Sequence, residues 1–362
     1  MGKELLSVGL LFGGESAEHE VSIVSARAIA KHLDSSAFRA VPIGVARNGV
    51  WVVLGDPFAR LANGEMPERG EYPFLPLEKG AEQTSAPDVI FNVIHGAGGE
   101  DGQIQGYLEM LKIPCTGAGR LCQGAAMDKW MAKRVWESEG LPVTPYLGIT
   151  EDRWKLNPQG FIDQCLTLGT PVFVKPANSG SSIGIEKVTL AEDLKSAVDN
   201  AFRYDRRVLV EKGLDVREIE VAVLGGADPI VSMPGEVLVA GEFYDFADKY
   251  LDGKSQTQIP ADLQDDMAQS IRNMALQAFL SLDGYGLARV DFFVERNTNH
   301  IYLNEINTIP GFTSISMFPK LIEAAGVPYK DQLTTLIGLA VDRQRQTAGK
   351  QVGFKSGSQW FR

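Results

Sequence analysis

Residues 286–317 constrain the fold more than any other stretch of the chain. They read GLARVDFFVERNTNHIYLNEINTIPGFTSISM. Residues 287–294 and 301–307 are rich in branched and aromatic side chains, and the ERNTN between them is a turn by composition. A hairpin centred near Thr298 sets Asp291 opposite Glu305 and Arg289 opposite Asn307. Side chains alternate faces along a strand, so Arg289 and Asp291 share one face, as do Glu305 and Asn307. Val290, Phe292, Ile301 and Leu303 point to a largely buried sheet, where a carboxylate needs a partner. Two carboxylates and an amide oxygen, from Asp291, Glu305 and Asn307, suit Mg²⁺, a hard cation that also takes phosphate oxygens. A surface cross-strand ion pair around Arg289 is the other reading of the same spacing. Pro310 and Gly311 then make a tight turn. Thr313, Ser314 and Ser316 follow it with donors that suit a small anionic substrate beside a metal-bound phosphate.

At 362 residues the chain exceeds one typical core, so two or three domains are expected. A hydrophobic content of 44% and a charged content of 22% are ordinary for a globular protein. The net charge of −11 argues against a nucleic-acid backbone as the main partner, but not against a nucleotide held by a local cluster. Cys115, Cys122 and Cys165 form no C-x-x-C pair and are expected to be buried thiols. The opening MGKELLSVGLLFGG reads as a first strand, not as a signal peptide. No run of about 18 apolar residues occurs. The cytoplasm is the expected compartment, and no membrane partner is expected.

Along the chain, strands are expected at residues 5–12, 39–46, 50–54 and 87–94, with helices at 19–33 and 103–111. The GGESAEHE turn after the first strand lacks the G-x-G-x-x-G order, which disfavours a dinucleotide site. Ser16 is the expected N-cap there, with Glu18 near the positive end of the helix. The glycine-rich HGAGGEDGQIQG holds His95, Glu100 and Asp101 at a strand's carboxyl end. A single helix is expected over 126–139, ended by Gly140 and Pro142. Lys175 closes a strand before the loop PANSGSSIG, which can fold over phosphates although it is no P-loop. Residues 235–260 read as a folded loop lying over a ligand. Long helices are expected at 261–282 and 330–345, a shorter one at 319–325, and a frayed tail after that.

The ordered motifs GGESAEHEVS, HGAGGEDG, MDK, VKPANSGSSIG, the DKY loop, ARVDFF and NEINTIPGFTSIS resemble those of D-alanine–D-alanine ligases, in the ATP-grasp superfamily. The resemblance runs over nearly the whole chain. It implies an α/β and α+β protein with a three-domain ATP-grasp fold that begins with an N-terminal pre-ATP-grasp α/β domain. The expected divisions are 1–125 for that domain, on the first D-alanine side, and 126–217 for a small central α+β domain. Residues 218–346 follow as a C-terminal α+β domain with a lid loop at 235–260 and the metal site, and 347–362 as a tail. The implied reaction uses ATP to join two D-alanines through a D-alanyl phosphate, for peptidoglycan precursor synthesis.

The resemblance also distributes roles. It implies two Mg²⁺ (or Mn²⁺) ions on Asp291, Glu305 and Asn307, and phosphates clamped by Lys129, Lys175 and Ser182. Lys249 meets the transferring phosphoryl group. Glu211, Lys212 and Leu214 hold the adenine and Glu218 the ribose. Glu18, Ser181 and Tyr250 form a trio across the substrate, and His95 lies near the first substrate carboxylate. Arg289 and the Gly311 N–H face the oxyanion, while Ser316 and the Met317 N–H take the second carboxylate. Retention of Lys249 and Tyr250 favours an amine nucleophile over D-lactate and leaves D-serine open. A non-catalytic ATP-binding relative is the alternative of another class. A homodimer is a further implication of the resemblance.

Overall fold

The computed structural model describes residues 5–68, 86–180, 182–238, 256–313 and 315–350. Three sheets organise them. The first holds β1 (Leu6–Gly13), β2 (Phe38–Val45), β3 (Trp51–Val52) and β4 (Val89–Asn92) in the order β3-β2-β1-β4. Both neighbours of β1 run parallel to it. β1 reads LSVGLLFG and is buried at seven of its eight positions, as a parallel strand covered on both faces must be. Helices α1 (His19–His32), α2 (Pro57–Ala62) and α3 (Gln103–Met110) accompany this sheet. Gly13 sits at φ +95° against the Val45 carbonyl, a turn no side chain would fit, and it swings the chain into α1. Glu18, not Ser16, occupies the N-cap position of α1. The Ser16 hydroxyl donates to the His95 carbonyl at 2.7 Å and accepts from the Glu18 N–H at 3.3 Å, so it ties the loop after β4 to the start of α1 without capping an N–H inside the helix.

The chain then forms α4 (Arg120–Met127) and α5 (Lys129–Ser138). The single helix expected over 126–139 is broken at Asp128, whose extended backbone lets its carboxylate cap α5 by accepting from the Met131 N–H at 2.8 Å. The second sheet holds β5 (Tyr146–Thr150), β6 (Val172–Pro176), β7 (Glu186–Val188) and β8 (Arg207–Lys212), ordered β5-β8-β6-β7 and antiparallel throughout. Helices α6 (Glu151–Leu156), α7 (Pro158–Leu166) and α8 (Leu194–Ala201) bury Val172, Val174, Val208 and Val210 on one face. Alternation turns Phe173, Lys175 and Glu211 to the other face, toward α5. Gly148 on β5 has no room for a side chain, because the Trp130 indole of α5 lies directly on it.

The third sheet is built from β9 (Val216–Gly225), β10 (Ile230–Val231), β11 (Gly235–Leu238), β12 (Gln256–Gln258), β13 (Gly286–Glu295) and β14 (Ile301–Asn307). Its order is β12-β11-β9-β13-β14, with β10 on β9. The stretch 235–260, expected as loop, therefore begins and ends in paired strands; its middle lies outside the described residues. One face, carrying Val221, Val290, Phe292 and Leu303, packs on α4, α5 and α9 (Asp265–Ser281). The other shares a core with α10 (Met317–Ala324), α11 (Tyr329–Ala348) and the first sheet. α11 runs past residue 346, so the expected tail begins in helix.

The β13–β14 register pairs Asp291 with Glu305 and Arg289 with Asn307, as the hairpin reading requires. It does so by another route. The turn is offset by one residue, and a bulge that leaves Asn304 unpaired restores the pairing. In an unbroken strand Leu303, Glu305 and Asn307 would share a face. The bulge sends Leu303 into the core and Glu305 and Asn307 to the opposite face.

Trp136 joins α5 to α9, fully buried and donating from Nε1 to the Ala278 carbonyl at 3.3 Å. Trp136→Ala is expected to lower stability by about 3–5 kcal/mol through the cavity it leaves. Urea unfolding checks this, and a loss below about 1 kcal/mol would mean that α5 is held by other contacts.

Candidate active site

The three sheets and α5 enclose a cavity of about 120 Å³. The first sheet contributes Glu18 and Glu100 from the loops after β1 and β4. α5 contributes Lys129, the loop after β6 contributes Gly180, and the third sheet contributes Glu220, Arg289, Glu305 and Asn307. The segment after β14 closes the wall with Gly311, Ile315, Ser316 and Met317.

Arg289 is the cationic centre. Its Nε donates to Asp291 Oδ1 at 2.7 Å and its Nη2 to Asp291 Oδ2 at 2.6 Å, a bidentate pair. Its Nε also lies 3.3 Å from Glu220 Oε2. Lys129, first residue of α5, reaches across to Glu305 Oε2 at 3.2 Å and donates to the Ser179 carbonyl at 2.7 Å. Asp291, Glu305 and Asn307 thus present two opposed carboxylates and an amide oxygen on one face. This oxygen donor set fits a hard divalent cation. Among the described residues no cluster of three or more His, Cys, Asp or Glu side chains forms a metal site.

The loop after β4 is held by its own polar groups. Asp101 accepts from the Gly98 and Gln103 N–H groups, which orders the turn into α3. Glu100 accepts from the Gly96 N–H at 2.7 Å. Burial, reinforced by the charge of Glu18, pushes the Glu100 carboxyl up to about 8. His95 is buried, with Nδ1 2.8 Å from the Ile309 carbonyl. Burial pushes the imidazole below its usual range, with Glu18 and the Ile309 carbonyl acting the other way. The neutral ring donates from Nδ1 and leaves Nε2 as an acceptor.

A second charged cluster lies on the second sheet. Glu211 is 2% exposed and receives Lys175 Nζ at 2.7 Å on one oxygen and Lys133 Nζ at 3.2 Å on the other. Burial alone would raise this carboxyl; Lys133 and Lys175 overcome burial and hold it down at about 2.

Of the residues singled out in the sequence, Glu18, Lys129, Arg289, Glu305, Asn307, Gly311, Ser316 and Met317 meet at the cavity. Asp291 joins them through Arg289. Gly311 leaves no space for a β-carbon beside the Ser316 hydroxyl, 2.7 Å away. Ser316 is the N-cap position of α10 and Met317 its first residue. Lys175 and Glu211 meet each other on the second sheet. The Lys212 N–H is committed to the Pro145 carbonyl, Leu214 follows on the connection into β9, and Glu218 lies within β9 opposite Phe293. Ser182 is exposed at φ +59° in the turn between β6 and β7. Ser181, Lys249, Tyr250 and Ser314 lie outside the described residues.

Sequence reasoning missed three charged groups and left Glu100 without a role. Lys133 stands four residues after Lys129 on α5, the spacing that puts both on one helix face. Glu220 stands two residues after Glu218 on β9, directly opposite Asp291. Asp128 pairs with Arg207 of β8. The three cysteines are buried free thiols, as expected.

Comparison with known proteins covers nearly the whole chain. Residues 7–118 match the family described as "D-ala D-ala ligase N-terminus" and residues 135–338 the family described as "D-ala D-ala ligase C-terminus". The D-alanine–D-alanine ligase of Heliobacterium modesticaldum is 43% identical over 350 residues, covering 94% of this chain and 96% of that protein. The solved D-alanine-D-alanine ligase from Coxiella burnetii superposes with a TM-score of 0.82 at 34% identity, over 96% of this chain and 97% of that one. The VanG D-Ala:D-Ser ligase from Enterococcus faecalis gives 0.78 at 28% identity, over 93% and 100%.

The raised Glu100 carboxyl has a signature in stability. Between its ordinary 4.5 and about 8 the folded protein holds a proton that the unfolded chain has released, so this group costs stability as pH rises through that window. Glu100→Gln removes the titration. Unfolding free energies measured against pH are expected to move in the variant's favour between about 5 and 8 and to run parallel above that. Parallel profiles throughout would place the Glu100 carboxyl in its ordinary range.

Proposed function

The chain belongs to the D-alanine–D-alanine ligase family and has that family's ATP-grasp architecture; from this we propose how its own residues carry out the ATP-dependent joining of two D-alanines. The observation that carries the reading is the β13–β14 register, which sets Arg289, Glu305 and Asn307 on the wall of a cavity that also holds Glu18 and Ser316, with Asp291 paired to Arg289. We keep the division at 1–125, 126–217 and 218–346.

A carboxylate resists attack by an amine, because resonance and negative charge both oppose it. Phosphorylation by ATP turns one of its oxygens into a leaving group, and that transfer needs charge neutralisation above all. Asp291, Glu305 and Asn307 would hold Mg²⁺, which supplies that neutralisation by polarising phosphoryl oxygens. Lys129 is placed at the same end, its ammonium beside Glu305. Lys175 and Ser182 belong to the phosphates, with Lys249 at the transferring group. Glu211, Lys212 and Leu214 take the adenine and Glu218 the ribose.

Glu18 takes the ammonium of the first D-alanine. Its carboxylate borders both the Gly96 and the Gly180 backbones, so the loop over the phosphates meets the loop that holds this substrate. Ser181 and Tyr250 complete that closure, which keeps water from the acylphosphate. The carboxylate of the same substrate lies beside His95, and its charge favours the imidazolium, which donates at both nitrogens. The amine of the second D-alanine attacks the acyl carbon, phosphate leaves, and Arg289 with the Gly311 N–H takes the oxyanion between. Ser316 and Met317 open α10, a helix N-terminus that suits the second carboxylate.

The test is phosphate release from purified protein with ATP and Mg²⁺. The additions are D-alanine, L-alanine, and D-alanine with D-serine or D-lactate, with products identified by mass. D-alanine-dependent release of D-alanyl-D-alanine is expected, and the mixed reactions rank the nucleophiles. ATP binding without release under every condition would turn the reading to a non-catalytic relative. Arg289→Ala is expected to lower kcat by about 10²–10³ with little change in KM. A rise in KM alone would remove Arg289 from the transition state. Whether the protein pairs as a homodimer is settled by sedimentation, where a dimer is expected.

A further inference from the structure

Lys133 is fully buried, and neither the phosphates nor the metal set accounts for it. It lies on the α5 face that also carries Lys129, one helical turn further on. Lys129 points to Glu305 on the third sheet, while Lys133 points to Glu211 on the second, 3.2 Å from Oε1. Its Nζ stands 5.8 Å over the Tyr146 ring, and Trp136, three residues on, anchors the helix to the Ala278 carbonyl. Lys133 is therefore shut away from water, with the Glu211 carboxylate as its ion-pair partner.

The other cation on Glu211 is shared. Lys175 approaches Glu211 Oε2 at 2.7 Å and is also the lysine that a bound nucleotide's phosphates would draw away. A buried carboxylate that loses its cation is left uncompensated, at a cost large enough to neutralise or displace it. We propose that Lys133 is a positioning residue that keeps Glu211 ionised and aimed at the adenine while Lys175 serves the phosphates, and so sets the preference for ATP over GTP. The proposal rests on the reading of Glu211 as the adenine contact. An ionised carboxylate accepts from the 6-amino group of adenine and repels the 6-oxo group of guanine. Lys133 acts only through that carboxylate.

The experiment compares Lys133→Met, Lys133→Arg and Glu211→Gln in the full-length protein, with D-alanine and either ATP or GTP. Lys133→Met is expected to raise KM for ATP about tenfold or more with kcat little changed, and to lower the ATP-over-GTP ratio of kcat/KM by a similar factor. Lys133→Arg is expected to restore both. If Lys133→Met lowers the melting temperature while KM and the ratio hold, Lys133 is merely structural and the proposal is overturned. If Glu211→Gln leaves the ratio unchanged, the adenine assignment itself fails and takes the proposal with it. A ratio that moves in Glu211→Gln but not in Lys133→Met overturns the proposal alone. Should Lys133→Met fail to fold, Lys133→Met/Glu211→Gln removes one charge of each sign and avoids the uncompensated group. Its ratio is expected to match that of Glu211→Gln, and a further loss would show that Lys133 acts by another route.

Discussion

A carboxylate shut away from water must meet a cation or keep its proton. The centre of this protein is arranged around that constraint. Asp291 and Glu220 meet Arg289, Glu305 meets Lys129, and Glu211 meets both Lys133 and Lys175. Glu100, with Glu18 as neighbour, keeps its proton instead. An ATP-dependent ligase brings more negative charge into the same space, in phosphates and substrate carboxylates. On the proposed reading, these ion pairs are the cations and ligands of that chemistry, engaged with one another.

α5 is the element through which these pairs become one site. Asp128 interrupts the preceding helix, caps α5 and pairs with Arg207 on the second sheet. Trp130 lies flat on Gly148 of that sheet, and Trp136 reaches the third-sheet layer through α9. Lys129 and Lys133 then point from one helix face to carboxylates on two different sheets. On the proposed reading, the metal end and the base end of the nucleotide are thereby referred to the same helix.

Much of this was legible in residue order. The hairpin around Thr298, the buried first strand, the glycine turn at Gly13 and the helix after it follow from side-chain period and from where glycine and proline stand. The ordered motifs carried the family. Other features were hidden because they depend on partners far away in sequence. Ser16 looked like a cap, but its hydroxyl donates to the distant His95 carbonyl and Glu18 takes the cap position. The break at Asp128 is invisible in a stretch of good helix formers, because what stabilises it is Arg207. Lys133 and Glu220 are ordinary charged residues by local pattern, and only burial against Glu211 and Arg289 gives them meaning.

By itself, the sequence determined the strands of the first sheet, the helix after Gly13 and the hairpin around Thr298, because period, turn chemistry and apolar runs act over a few residues. It also placed Asp291, Glu305 and Asn307 together on one hairpin as a candidate set of oxygen donors. The tertiary structure alone decided which way they face. A strict alternation would have buried Glu305 and Asn307 with Leu303, and the bulge at Asn304, with Leu303 and Ile306 packed into the core on either side of it, turns them toward Arg289. It also decided which carboxylates are ionised. That depends on distance to a cation and on exclusion of water, and neither exists until the sheets and α5 have closed on one another.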